Sequence, residues 1–426
     1  MSTDTKQLFD SLSKPVPPFR AGLDIFPVES DGKKLIYIHD AMGYVPRPFV
    51  LNKEVAGLMA LIDGEKSITQ LHQEIVNYQP ETDVTEELLM QFVQHLDKHR
   101  VLFSDHFKEY AEQIESDFES KLVRPPSCSG TSYPEDVSEL RSKLDEALSN
   151  GSIPEEAASS RVLYAPHIDP RIGLSTYGKA FAPLQTVQPK RVIVLATSHY
   201  AGSYHPEYDN IPFIISEKSF ETPLGTVEPD QERIQELSRS ADQLGISTKD
   251  RAHRIEHSIE LHLIFAQHIW PDDFTLTPIL VGPFEELFYS DNNHISDKIE
   301  AMSAWLRQQL EDPDTFLLIS GDLAHIGKKF GDSASAQTMF EDVKAFDTSF
   351  LEYAKTADPE GMFRHVADDY DPYRICGFPP LYTFLKSAPE LDGQITGYQI
   401  WDEQERESAV TFGSILYSNS NSDSDE

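Results

Sequence analysis

Residues able to hold a metal or move a proton recur in this chain at one kind of place, just after a run of apolar residues. Val162-Leu163-Tyr164-Ala165-Pro166 leads to His167, and Val192-Ile193-Val194-Leu195-Ala196-Thr197-Ser198 leads to His199. Phe316-Leu317-Leu318-Ile319-Ser320-Gly321 leads to Asp322, with His325 close behind, and Arg374-Ile375-Cys376-Gly377 adds a thiol. Imidazole and thiolate are good ligands for iron, copper and zinc, and a catalytic metal takes about three protein ligands while keeping a position open. One histidine after a strand is commonly just a hydrogen-bonded loop residue. Three of them with a cysteine point to a single buried metal or catalytic site.

A second dense segment is Ile255-Glu256-His257-Ser258-Ile259-Glu260-Leu261-His262. Read as the start of a helix over His257–His268, it places His257 and Glu260 on one face, with Glu256 and Glu260 nearly so. A carboxylate beside an imidazole suits acid/base work or the orientation of a ligating ring. The same residues would equally make an exposed, charged helix start, where Glu256 favours the macrodipole. His262 falls about 140° around the helix from His257, so these two do not chelate one ion, and the pattern is not the HExxH of zinc proteases.

The elements that must position these groups follow from the apolar pattern. Val162–Ala165, Val192–Ala196, Leu276–Val281 and Phe316–Ile319 read as strands, the unbroken apolar runs being those of buried parallel strands. Helical spacing covers Gln231–Leu244, His257–His268, Ile295–Leu310 and Ser335–Lys355. This alternation predicts an α/β fold, a layered sheet flanked by helices, in which ligands gather outside the carboxyl ends of the strands.

Residues 19–106 read as a separate small unit. It has a strand over Lys34–Asp40 after a turn at Asp31-Gly32, and helices starting at Asn52, Ser67 and Thr85. A short strand at Val101–Phe103 completes a winged-helix-like module. Residues 107–150 read as a charged linker with one helix over Val137–Leu148, and residues 151–417 as the main domain. Residues 418–426 form an acidic, low-complexity tail predicted to be disordered.

The whole chain bounds the possibilities further. It has 426 residues and a formal net charge of −35, from 71 acidic against 36 basic residues. Such a surface repels phosphate backbones and anionic headgroups, so neither nucleic acid nor a membrane surface is an expected partner. No stretch reaches the about 20 apolar residues that span a bilayer, and the N-terminus lacks the basic and apolar regions of a secretory signal. The two cysteines, Cys128 and Cys376, lie in unrelated contexts. A disulfide framework is not expected, a reducing cytoplasm is, and Cys128 reads as an incidental free thiol.

Taken together, these segments resemble the Memo family, also called component B of the AmmeMemoRadiSam system. The resemblance rests on Ala165-Pro166-His167, Thr197-Ser198-His199, Thr222-Pro223-Leu224-Gly225, Glu256 through Leu263, Pro278 through Gly282, Ser320 through Gly327, and Ile375-Cys376-Gly377. It implies the fold of class III extradiol dioxygenases, with metal ligands at His167, His199 and Cys376 and with His325, His257 and Asp322 as catalytic neighbours. It also implies iron (Fe2+) or copper as cofactor, a redox role, and a radical-SAM partner protein. The alternative that the resemblance leaves open is a metal- or peptide-binding protein without turnover. This chain departs from the family pattern after His167, where Asp169 puts a carboxylate two residues away. The Thr222–Gly225 segment needs no role beyond a turn. In the small N-terminal unit, Leu51 through Ala56 and Leu61-Ile62-Asp63-Gly64-Glu65-Lys66-Ser67-Ile68 resemble a PqqD-type domain, which implies a peptide ligand there.

Overall fold

The chain folds as two units, Met1–Ser120 and Lys121–Glu426. The structure, a computed structural model, describes residues 7–30, 32–45, 49–204, 206–270, 273–282, 284–289, 294–388 and 390–419. The turn residue Asp31 and residues 420–426 of the acidic tail lie outside these, whereas Ser418 and Asn419 close the last strand.

In the first unit β1 (Leu23–Ser30), β2 (Lys33–Asp40) and β3 (Phe49–Asn52) form an antiparallel sheet, with Gly32 supplying the positive φ of the first turn. Asn52 ends β3 and makes no side-chain cap; a 3-10 turn over Lys53–Val55 intervenes before α1 (Ala56–Leu61). The other two helix starts form where expected. Ser67 and Gln70 exchange the reciprocal bonds of a capping box at α2 (Ile68–Tyr78), and Thr85 caps α3 (Glu86–Lys98). Ile36, Ile38, Leu71, Leu89, Val93 and Leu96 meet in the core. Residues expected to begin a linker instead form α4 (Asp105–Glu119), capped by Ser104 and burying Phe107 and Phe118.

The second unit opens with the short β4 (Val123–Arg124) and α5 (Val137–Leu148). Then come β5 (Ser160–Ala165), α6 (Pro170–Phe181) and β6 (Arg191–Thr197). A region of short elements follows: β7 (Phe213–Ile215), β8 (Ser219–Thr222), β9 (Gly225–Val227), α7 (Gln231–Arg239), α8 (Ala241–Leu244) and β10 (Ile246–Ser247). After it come α9 (Glu260–Ile269), β11 (Thr275–Val281), α10 (His294–Leu310), β12 (Thr315–Ser320) and β13 (His325–Gly327). The chain ends with α11 (Phe340–Lys355), α12 (Pro359–Ala367), α13 (Phe378–Leu385), β14 (Leu391–Glu403) and β15 (Ser408–Asn419).

Nine strands among the described residues make one mixed sheet in the order β10-β7-β11-β6-β12-β5-β15-β13, with β14 pairing β15. The expected α/β class is borne out: helices flank the sheet, with α10 and α13 on β12 and α6 and α11 on the β14–β15 hairpin. β11, β6, β12 and β5 are parallel neighbours and almost wholly buried, which is why their sequences are unbroken apolar runs. Because β6, β12 and β5 lie side by side, the residues following them emerge next to one another. No helix among the described residues is long and apolar enough to cross a membrane.

Several boundaries differ from the sequence reading. The expected helix over Gln231–Leu244 breaks at Ser240, and the one over His257–His268 begins only at Glu260. Thr222–Gly225 is the turn between β8 and β9, as read. The β14–β15 hairpin was not foreseen.

Candidate metal centre

Each strand end delivers its residue to one place. His167 leaves β5, His199 leaves β6, and Asp322 leaves β12, while His257 arrives from the loop before α9. One ring nitrogen from each of His167, His199 and His257 lies within 4.8 Å of the others, the one group among the described residues with the geometry to hold a metal. The rings sit edge to face or stacked, with centroids 4.6–5.2 Å apart. Their side chains are 2 %, 27 % and 29 % exposed respectively, so the group is closed at His167 and open toward His199 and His257.

The hydrogen bonds fix which nitrogen faces inward. The Ser320 hydroxyl gives its one proton to the Ser258 carbonyl at 2.7 Å, so at 3.2 Å it can only accept from His167 Nδ1–H. That leaves the lone pair of His167 on Nε2. His199 Nδ1 donates to Glu256 Oε1 at 2.9 Å, while the backbone N–H of His199 donates to Glu256 Oε2 at 2.7 Å. His257 Nδ1 is 3.3 Å from that same Oε1. A buried carboxylate thus orients His199 by a hydrogen bond and stands against the ring of His257, the kind of arrangement that holds ligating histidines in metal sites.

Glu256 also accepts the N–H groups of His257 and Ser258, at 3.0 and 3.3 Å. Turned back on its own backbone in this way, it occupies the turn before α9, so the helix starts late and Glu256 is no exposed helix end. Glu260 stands apart from the cluster. Its carboxylate accepts from Arg124, Tyr133, the backbone and hydroxyl of Ser127 and the backbone of Cys128, so the expected pairing of Glu260 with His257 on one face does not form.

The thiol lies beside the group: Cys376 Sγ is 3.3 Å from His167 Nε2 and also interacts with His199. It is held there by the Thr197 hydroxyl, which donates to the Cys376 carbonyl at 2.6 Å, and by the N–H of Asp322, 3.3 Å from the sulfur. The approach to Cys376 includes Tyr370, Asp371 and Arg374, all at positive φ, a conformation that persists for such residues only where surroundings impose it. Arg374 is fixed by bonds to the His325 carbonyl at 2.9 Å and to Asp332 at 2.6 Å.

Asp322 takes the N–H groups of His167 and Ile168 at 3.0 and 3.2 Å and lies 3.8 Å from His167 Nε2. His325 donates Nδ1–H toward the carbonyls of Leu323 and Arg374 at 3.0 and 3.1 Å, leaving its Nε2 as the basic nitrogen. Asp169 caps α6 and grips Arg171 at 2.9 Å rather than turning to His167. His262, as read, is not in the cluster; its Nε2 lies 2.9 Å from the Pro166 carbonyl.

Electrostatics sorts these groups. Burial, helped by neighbouring rings, pushes His167 well below the usual imidazole value and His257 and His325 down to about 4, so all three are neutral donors. At His199 burial works the same way, but the Glu256 carboxylate and Cys376 overcome it and lift its pKa well above the ordinary value. Burial would raise Glu256, yet His199 and His257 hold it at about 2. Burial lifts Asp322 to about 7, against the N–H of His167, and raises the Cys376 thiol. The donor set fits a transition-metal ion: neutral imidazoles at His167 and His257, a third ring at His199 that would release its proton on binding a cation, and a soft sulfur alongside.

A cavity of about 440 Å3 opens onto His199 and Cys376, walled by Phe284, Phe288, Phe378, Tyr370 and Arg374. Ser320 and Glu256 carry much of the geometry. Ser320 had no signal of its own beyond lying in the Ser-Gly-Asp stretch that closes a strand.

Comparison with known proteins agrees with this architecture. A family model described as Memo-like protein matches residues 124–416. A MEMO1 family protein of Aquifex aeolicus is 26 % identical over 396 residues, covering 92 % of this chain and 98 % of its own length. Another from Thermus thermophilus is 28 % identical over 310 residues, 72 % of this chain and 87 % of that one. One from Ignicoccus hospitalis is 31 % identical over 169 residues, 38 % of this chain and 56 % of that one. With its metal-capable residues on the matched segment, the chain belongs to the Memo-like protein family.

Proposed function

We propose that this protein binds one redox-active transition metal, iron or copper, through His167, His199 and His257 with Cys376 beside them, and uses it to oxidise a small molecule admitted by the adjoining cavity. The observation that carries this reading is the convergence of three imidazole nitrogens, with His167 and His199 already held from the outer side by hydrogen bonds. Bound there, such an ion would supply one-electron redox chemistry. The chain's own residues do the rest. Glu256 and Ser320 hold the rings, aromatic side chains line the cavity that admits the substrate, Asp322 stores a proton, and His325 Nε2 receives one as general base.

The test is oxygen consumption by protein loaded anaerobically with Fe2+ or Cu+, using oxidisable phenols and peptides as substrates. His325→Ala should keep the metal and lose about 10²–10⁴-fold in turnover. Metal binding with no turnover of any of these would instead favour a second reading, a metal- or peptide-binding protein that serves a radical-SAM enzyme. The apolar outer stripe of the first unit, where Phe26 and Tyr37 rings pack 5.1 Å apart and Val50 is exposed, favours a peptide ligand in that reading.

A further inference from the structure

The loop that brings Glu256 and His257 to the centre is tied on its inner side to the strand ends through Ser258, which donates to the Thr197 carbonyl at 2.8 Å and accepts from Ser320 at 2.7 Å. Glu256 spends both carboxylate oxygens on His199, His257 and Ser258. What holds the loop from behind is a residue far away in sequence. Arg124 is 1 % exposed, and all three of its guanidinium nitrogens are engaged. Nε donates to the His253 carbonyl at 3.1 Å, Nη2 to the carbonyl of Glu256 and to Ser127 Oγ, and Nη1 to Glu260. Of these four acceptors, the carbonyls of His253 and Glu256 lie in and just before the loop, and Glu260 begins α9.

The guanidinium is itself held in register. β4 pairs in parallel with β8, placing Arg124 opposite Phe220, whose ring centroid lies 5.5 Å from the guanidinium carbon. Glu260 balances its charge and collects the further donors of Ser127, Cys128 and Tyr133. A planar fork with several donors can bridge acceptors that a single ammonium cannot.

We propose that Arg124 is a positioning residue of the metal centre, setting the placement of His257 and, through Glu256, of His199, with Glu260 as its counter-ion. The inference goes beyond the metal reading while resting on it for its purpose. Arg124 itself touches neither metal nor substrate. Its grip on the two carbonyls is distinct from the strap formed when Tyr133 donates to Glu260 Oε1, the carboxylate oxygen that Arg124 does not use.

The experiment compares wild type, Arg124→Lys and the control Tyr133→Phe. It reads histidine ring signals in long-range proton–nitrogen spectra of the metal-free protein, Co2+ affinity and visible spectrum, and melting temperature. Arg124→Lys should move the ring signals of His199 and His257, weaken Co2+ binding about 10–100-fold and change the spectrum of the bound ion. The control loosens the strap without touching the two carbonyls, so it should melt earlier with ring signals and Co2+ spectrum unchanged. Ring signals and affinity like wild type in Arg124→Lys, with affinity within about twofold, would overturn the proposal. So would a control that moves them as much. Should Arg124→Lys fail to fold, Glu260→Gln, which releases the guanidinium from its counter-ion, must move the same two signals or the proposal falls. A wild type that binds none of Co2+, Fe2+ and Cu+ would defeat the metal reading, while the metal-free ring signals would still decide this one.

Discussion

Glu256 and Ser320 show how little of the centre is made by its ligands alone. One carboxylate and one hydroxyl settle the tautomer and angle of His199 and His167, and each can be removed without touching a ligating atom. Glu256→Gln keeps the shape but loses the charge and one acceptor, and should cost about 10–100-fold in metal affinity. Ser320→Ala should cost less, about 10-fold, and leave a buried His167 N–H unpaired. Competition against a chromogenic chelator measures both; unchanged affinity in the two variants would mean that the rings orient themselves. At this scale much was legible. His167, His199, Asp322 and Cys376 stood out because each follows an apolar run or a glycine-bounded turn. Glu256 was legible only as a choice between an orienting carboxylate and an exposed helix start, since periodicity cannot show that its side chain turns back on the backbone. Arg124 was invisible, because nothing local marks an arginine three of whose four acceptors are more than a hundred residues away.

Among the elements, the end of β12 and the start of α13 cross with no room for side chains. A methyl group on Gly321 would stand 2.3 Å from Gly377 Cα, and one on Gly377 would stand 2.7 Å from the Asp322 carbonyl oxygen. This contact brings the Asp322 and Cys376 loops together, supported by the 2.8 Å bond from the Gly377 N–H to that carbonyl. Gly321→Ala should therefore destabilise the fold by about 1–3 kcal/mol in denaturant titrations, as overpacking does, and make the Cys376 thiol react faster with a disulfide reagent. A variant as stable and as slow to react as wild type would show that the loops meet without it. The strands β5, β6 and β12 were legible because burial on both faces leaves an unbroken apolar run. β14 was not, since its residues are mostly half-buried and show no clean alternation. The late start of α9 follows from Glu256, a tertiary contact that helical spacing cannot register.

At the scale of the whole molecule, buried charge ties stability to pH. Asp347 on α11 is fully buried, accepts from Tyr398 at 2.9 Å and is pushed by burial to about 6. Its folded pKa lies above the unfolded value of about 3.9, so its favourable contribution is complete below pH about 4 and is lost as pH rises through about 6. The loss is about 3 kcal/mol, and Asp347→Asn should remove it. The variant's stability relative to wild type should rise by about that amount between pH about 4 and about 7.5, and a gap that does not change with pH would refute the assignment. The α/β class was readable from alternating apolar runs, whereas α4 was hidden in a stretch whose charges suggested a linker. The account stands or falls on the metal. The most direct measurement is the metal content of protein titrated anaerobically with Fe2+ and with Cu+, wild type beside His167→Ala, His199→Ala and His257→Ala. About one tightly held ion per chain in wild type, lost in each variant, is the predicted result. No stoichiometric ion in wild type, or an ion retained by all three variants, would contradict it.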